Sequence, residues 1–121
     1  MDLNNKPHRR KNILTGEWTL VSPHRTKRPW QGKNDKPQKV EQLNYDSTCY
    51  LCPGNERVGG VINPNYNSTY IFKNDFSALT ENLKESSIDG LLEAESESGI
   101  CKVMCYSPNH SLTIPLMEID A

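Results

Sequence analysis

Cys49 and Cys52 stand in the run Asp46-Ser47-Thr48-Cys49-Tyr50-Leu51-Cys52-Pro53-Gly54-Asn55. A C-x2-C spacing followed by Pro-Gly is a tight turn that aims two thiolates at one metal, and a soft tetrahedral cation such as Zn²⁺ is the natural occupant. Further ligands must come from elsewhere, and Cys101, Cys105 and His110 are the downstream candidates. Residues 99–106 read as a strand, so Cys101 and Cys105 share a face but lie about 13 Å apart at roughly 3.3 Å per residue. Sulfurs that far apart cannot share an ion whose Zn–S distance is about 2.3 Å. His110 follows the turn Ser107-Pro108-Asn109, outside the strand, where an imidazole can reach a distant loop. Cys49, Cys52 and His110 are therefore expected as three zinc ligands, with the fourth still missing.

All four cysteines could be ordinary reduced thiols, and for Cys101 and Cys105 a strand in a core explains them fully. A redox use of the C-x2-C pair would call for a surrounding βαβ pattern, and none is present. A disulfide framework would suit a secreted chain, but the start Met1-Asp2-Leu3-Asn4-Asn5-Lys6-Pro7 lacks an apolar stretch, so a reducing, cytoplasmic location is expected.

The elements that must position these groups are short. With 121 residues and 35% hydrophobic content, the chain amounts to one domain or less, and its core is expected to be thin. No apolar run reaches the roughly 18 residues of a membrane span. The net charge of −1 hides an asymmetry, since residues 1–40 carry ten Lys/Arg against Asp2, Glu17 and Asp35, a local charge of +7. Residues 81–98 hold six acids against Lys84. That split predicts a first third that meets an anion, a phosphate or a nucleic acid, and a later segment that is solvated loop.

His8-Arg9-Arg10-Lys11 reads as a basic extended arm, and Glu17–Val21 as a strand preceded by a turn at Thr15-Gly16. Residues 22–30 form a loop pinned by Pro23 and Pro29, and 31–47 a polar loop leading to the cysteines. Residues 58–66 carry several breakers and are expected as loop. Ser68–Phe72 is a strand with Lys73–Phe76 as its polar exit, and Glu81–Ser98 an acidic, Ser-rich, exposed excursion. At Thr113-Ile114-Pro115 a helix is expected to begin, with Thr113 as cap. A helix that starts so near the end suggests a truncated chain.

Two arginines three apart, Arg25 and Arg28, lie on the proline-braced loop with Lys27 and Trp30. Arginine suits phosphate because its planar fork makes two parallel charge-assisted bonds, although a solvated basic loop has the same composition. Asn74-Asp75 after a strand could serve a ribose or base edge as readily as cap a turn. His24 has no Ser or Cys nucleophile arranged with it, so a structural role is expected. Neither G-x-x-x-x-G-K-[ST] nor G-x-G-x-x-G occurs.

The strings His8-Arg9-Arg10, Leu14-Thr15-Gly16-Glu17-Trp18, Val21-Ser22-Pro23-His24-Arg25, Lys27-Arg28-Pro29-Trp30-Gln31-Gly32, Cys49-x2-Cys52, Asn74-Asp75-Phe76 and Lys102-Val103-Met104-Cys105 occur in this order. Together they resemble the N-terminal part of the galactose-1-phosphate uridylyltransferases, and the likeness runs from about His8 to Met117. The resemblance implies an α+β fold of the histidine triad (HIT) superfamily. This chain, 1–121, would be a loop-rich, antiparallel-sheet N-terminal half, truncated before the catalytic motif. It further implies UMP exchange between UDP-glucose and galactose 1-phosphate through a uridylylated histidine, and a homodimer. Cys49, Cys52 and His110 would bind zinc together with a histidine past Ala121, and Arg25 and Arg28 would contact phosphates. Leu51 and Val58 would wall the uracil, and Asn74 and Asp75 would bind the ribose side. The nucleophile belongs to a His-Pro-His-Pro-His type motif beyond residue 121, so no catalytic residue is expected here and this chain alone is expected to be inactive. A different class, a non-catalytic zinc or nucleic-acid binding module, would need stacking aromatics interleaved with its cations, and only Trp18 and Trp30 accompany the basic third. Neither nucleic acid nor membrane is therefore expected as a partner.

Overall fold

The computed structural model describes residues 1–29 and 42–121. Trp30 and most of the 31–47 loop lie outside them. The chain forms two compact units, one made of Met1–Gly32 with Lys73–Lys102, the other of Lys33–Phe72 with Val103–Ala121.

The first unit is built on a four-stranded sheet in the order β2-β1-β5-β4, with β1 His8–Lys11, β2 Trp18–Val21, β4 Ser87–Ile88 and β5 Ala94–Ser96. All three pairings, β1 with β2, β1 with β5 and β4 with β5, are antiparallel. The expected basic arm is therefore an interior strand, and the expected acidic excursion supplies its neighbour β5 and the edge strand β4 beyond it. Cross-strand charge explains both corrections. Arg9 lies opposite Glu95 and pairs with it and with Glu97, and Lys11 reaches Glu93 at 3.1 Å. Arg9 also covers the Trp18 ring at 5.0 Å from its centroid. Part of the basic charge that composition assigned to an external anion is thus answered inside the sheet.

His8, with no exposed surface, anchors this sheet. Arg10 donates from Nε to His8 Nε2 at 2.9 Å, and since a guanidinium cannot accept, the imidazole proton sits on Nδ1 and is given to Lys6 O at 2.8 Å. Gly16 takes φ +76° in the turn before β2, as the Thr15-Gly16 pair predicts.

The strand β3, Tyr70–Lys73, pairs with β6, Lys102–Cys105, as a two-stranded sheet. Both fall inside their expected segments or within a residue of them. Along β6 burial alternates, and Cys105 is buried while Met104 faces out. Among the described residues the helical segments are short 3₁₀ turns, at Pro23–Lys27, Val58–Gly60 and Ile114–Leu116. The last replaces the expected helix start: Thr113 is extended, makes no side-chain cap, and the turn closes after three residues. The result is a loop-rich architecture of mostly antiparallel sheet. None of its helices among the described residues is long and apolar enough to cross a membrane.

Burial is sparse, as the composition predicts. The buried apolar residues among those described are Pro7, Cys52, Ala94 and Cys105, and beside them His8, Arg57 and Asn63 are buried polar groups. Replacing Glu95 by lysine would set like charges opposite each other on β1 and β5, at a cost of about 0.5–1 kcal/mol. The urea midpoint of Glu95→Lys should fall accordingly; an unchanged midpoint would show that the charge pairing does not help hold β1 in the sheet.

Candidate metal centre

The cysteine turn is assembled from local hydrogen bonds that its residue types dictate. Asp46 accepts from the Thr48 N–H at 2.8 Å and the Thr48 hydroxyl at 2.6 Å, which starts the turn and holds its carboxyl below the usual range. Cys49 N–H then donates to Asp46 O at 3.1 Å and Cys52 N–H to Cys49 O at 3.4 Å. Gly54 ends it at φ +76°, a backbone angle that calls for glycine, and a Cβ there would also push the Asn65 side chain aside. Two asparagines fasten the turn from outside. Asn55 Nδ2 donates to Asp46 O at 2.8 Å and Cys49 O at 2.7 Å, and Asn63 Nδ2 donates to Tyr50 O at 2.8 Å and Cys52 O at 3.1 Å.

His110 arrives on a second turn of the same unit. Asn109 N–H donates to Ser107 Oγ at 3.1 Å, His110 N–H to Asn44 O at 2.8 Å, and the Ser111 hydroxyl to Leu43 O. These bonds seat the imidazole against the cysteines, with Cys52 Sγ 3.4 Å from His110 Nδ1. The ligand atoms of Cys49, Cys52 and His110 all lie within 4.8 Å of one another. Sulfur ligands at about 2.3 Å and nitrogen at about 2.0 Å around a tetrahedral ion stand roughly 3.5–3.8 Å apart, so the set fits a soft or borderline metal with only small adjustment. Neither Cys101 nor Cys105 joins the group.

An apolar cavity opens beside the ligand atoms, lined by Leu51, Tyr66, Met104 and Cys105. Burial pushes the Cys52 thiol up, and the same cause, reinforced by Cys105, pushes up the Tyr66 phenol, which donates to Leu51 O at 2.5 Å. Leu51 is thus held next to the metal turn. Val58 instead lies exposed on the Val58–Gly60 turn and does not line this cavity.

The remaining expected residues belong to the first unit. Arg25 and Arg28 are exposed, Arg25 within the Pro23–Lys27 turn and Arg28 closing it through its N–H to Arg25 O at 3.0 Å. Asn74 Oδ1 accepts the Phe76 N–H at 2.9 Å, the turn-forming use that its residue type allows, and Asp75 is exposed beside it. The two segments are tied together. Ser22 Oγ donates to Ala78 O at 2.6 Å, and His24 Nε2 donates to Ser77 O at 2.7 Å.

Sequence reasoning did not single out Arg57, Asn55, Asn63 or Tyr66. The signal available was a run of polar residues around Cys-Pro-Gly with no solvent-facing pattern, whose amides turn out to satisfy the carbonyls of the turn.

Comparison with known proteins bears on the whole chain. Residues 1–121 match the family described as galactose-1-phosphate uridyl transferase, N-terminal domain. A galactose-1-phosphate uridylyltransferase of Haemophilus influenzae is 51% identical over 113 residues, covering 92% of this chain and 32% of that protein. The Saccharomyces cerevisiae enzyme of the same name is 46% identical over 126 residues, covering 97% and 34% respectively. A probable galactose-1-phosphate uridylyltransferase of Drosophila melanogaster is 48% identical over 114 residues, covering 93% and 33%. The chain spans about a third of the length of the curated relatives it matches. By its match along its full length, and by identity near one half to these transferases, the chain belongs to the galactose-1-phosphate uridyl transferase family, in whose N-terminal domain it falls.

Proposed function

We propose that this chain is the zinc-bearing, uridine-binding part of a cytoplasmic, homodimeric UDP-glucose–hexose-1-phosphate uridylyltransferase of the HIT-like α+β class. What supports the reading most is the convergence of Cys49, Cys52 and His110 within a chain of this family. Zinc there would supply a cross-link between the cysteine turn and the His110 turn, contributing folding energy to a unit with little apolar core. The fourth ligand would come from the remaining length that the relatives possess.

The substrates would be UDP-glucose and galactose 1-phosphate. The Arg25 and Arg28 guanidinium groups would hold phosphate oxygens through paired charge-assisted bonds. The bond from His24 to Ser77 would fix the loop that carries them. Leu51 and Val58 would wall the uracil, and Asn74 and Asp75 would take the ribose side. A histidine outside this chain would accept UMP, dividing the exchange into two displacements.

In the whole protein, Cys49→Ser or Cys52→Ser is expected to lower zinc content and stability, because removing a thiolate opens the tetrahedral shell. Cys101→Ser should leave zinc in place. Elemental mass spectrometry decides this, and unchanged zinc in both cysteine-turn variants would refute the site.

Zinc affinity should also rise with pH. The Cys52 thiol, raised by burial in the metal-free protein, must lose its proton to bind, so it alone contributes about tenfold in affinity per pH unit below its pKa. A pH-independent dissociation constant between pH 6.5 and 8, on the order of the range where the thiol stays protonated, would contradict coordination by Cys52.

Arg28→Ala should weaken UDP-glucose binding. Loss of a charge-assisted contact costs roughly 1.5–3 kcal/mol, or about 10- to 150-fold in affinity. Calorimetric titration giving wild-type affinity would remove Arg28 from the phosphate site.

A further inference from the structure

Asn63 is 2% exposed and spends both hydrogens of its side-chain amide on the cysteine turn, one on Tyr50 O and one on Cys52 O. That geometry tolerates one orientation of the amide. Flipped, it would press Oδ1 against two carbonyl oxygens and leave its own donors facing away from them. Arg57 selects the orientation, because its Nη1 donates to Asn63 Oδ1 and a guanidinium has no acceptor with which to satisfy a flipped amide.

Arg57 is itself over-determined. Its N–H donates to Val61 O at 2.7 Å and its Nη1 to Tyr70 Oη at 3.2 Å, and its guanidinium lies 3.9 Å from the centroid of the Phe72 ring. Tyr70 stacks between Tyr66 at 5.1 Å and Phe72 at 5.5 Å, so the cation rests on an aromatic row made by Tyr70 and Phe72 of β3 with Tyr66 before it. Asn63 N–H donates to Asn55 O at 2.9 Å, and Glu56 bridges Ile62, which closes the segment from 55 to 63 into a hairpin under the turn. Burying a guanidinium is expensive, and a hydrophobic side chain would fill the same space more cheaply if packing were the only need.

We propose that Arg57 and Asn63 are positioning residues for the metal centre: the arginine sets the amide of Asn63, and the amide presets the backbone that presents Cys52. This rests on the reading of Cys49, Cys52 and His110 as metal ligands. Outer groups that orient ligands typically govern 10- to 100-fold in metal affinity, and that is the effect expected here.

The test uses the whole protein, with zinc titrated against a chromogenic chelator, cobalt(II) absorption as a report of thiolate geometry, and thermal melting of the metal-free form. Arg57→Met keeps the bulk over Phe72 without donors, and Asn63→Asp keeps an ion pair with Arg57 while placing acceptors where donors are needed. Both should weaken zinc binding by about 10- to 100-fold and alter the thiolate-to-cobalt charge-transfer band, while the metal-free forms still melt cooperatively. Arg57→Lys, which can still donate to Asn63, should recover much of the loss. Wild-type affinity and cobalt spectrum in either folded variant would overturn the proposal. Loss of cooperative melting in both metal-free variants would also overturn it, by making the pair a folding element instead. Cys52→Ser in the same titration separates the two levels. Unchanged zinc binding there would sink the metal reading itself, whereas weakened binding there beside wild-type binding in Arg57→Met would sink only the positioning role.

Discussion

Satisfaction of the backbone carbonyls around the cysteine turn is the constraint from which the second unit follows. A turn tight enough to aim two sulfurs at one point leaves carbonyls without ladder partners, and each would cost free energy if buried unpaired. Asp46, Cys49 and Cys52 O each accept one backbone N–H there, and the amides of Asn55 and Asn63 add a second donor to each and supply one to Tyr50 O. The rest of the unit then serves the asparagines. Tyr45 donates to Asn55 Oδ1, Arg57 donates to Asn63 Oδ1, and the aromatic row of β3 holds Arg57. Polar pinning of this kind substitutes for apolar mass, which the composition does not provide.

Charge plays the corresponding part in the first unit. Arg9 and Lys11 on one strand meet Glu93, Glu95 and Glu97 in and around another, far away in sequence. Exposed pairs of this sort are individually weak, but laid along one register they favour this strand pairing over a shifted one.

The group of Cys49, Cys52 and His110 that could hold a metal ion was legible because its chemistry is local. C-x2-C-P-G specifies a turn from two or three residue preferences; the rise of a strand keeps Cys101 and Cys105 from sharing one ion, and the Ser107-Pro108-Asn109 turn frees His110 to reach another loop. Strands β2, β3 and β6 were legible for the same reason, since alternation and β-branching are properties of the segment. The basic arm and the acidic excursion were misread because neither has the pattern of a strand. Each becomes one only when the other lies beside it, and no window of sequence contains both. The 3₁₀ turn at Ile114–Leu116 was overread as a helix start, since proline after threonine is compatible with either and nothing local extends the turn.

By itself, then, the sequence determined what depends on near neighbours: the cysteine turn, the residue types of a candidate metal site, the proline-braced arginines, and through its motifs the family. Only the tertiary structure decided which distant partners close those local pieces. The His110 turn comes to the cysteines through Asn44 and Leu43, the Arg25 loop is tied to Ser77 and Ala78, and Arg57 fixes the amide of Asn63. The physical reason is that a hydrogen bond or ion pair between separated segments is set by backbone geometry in three dimensions, and residue type states only that a group can donate or accept, not to whom.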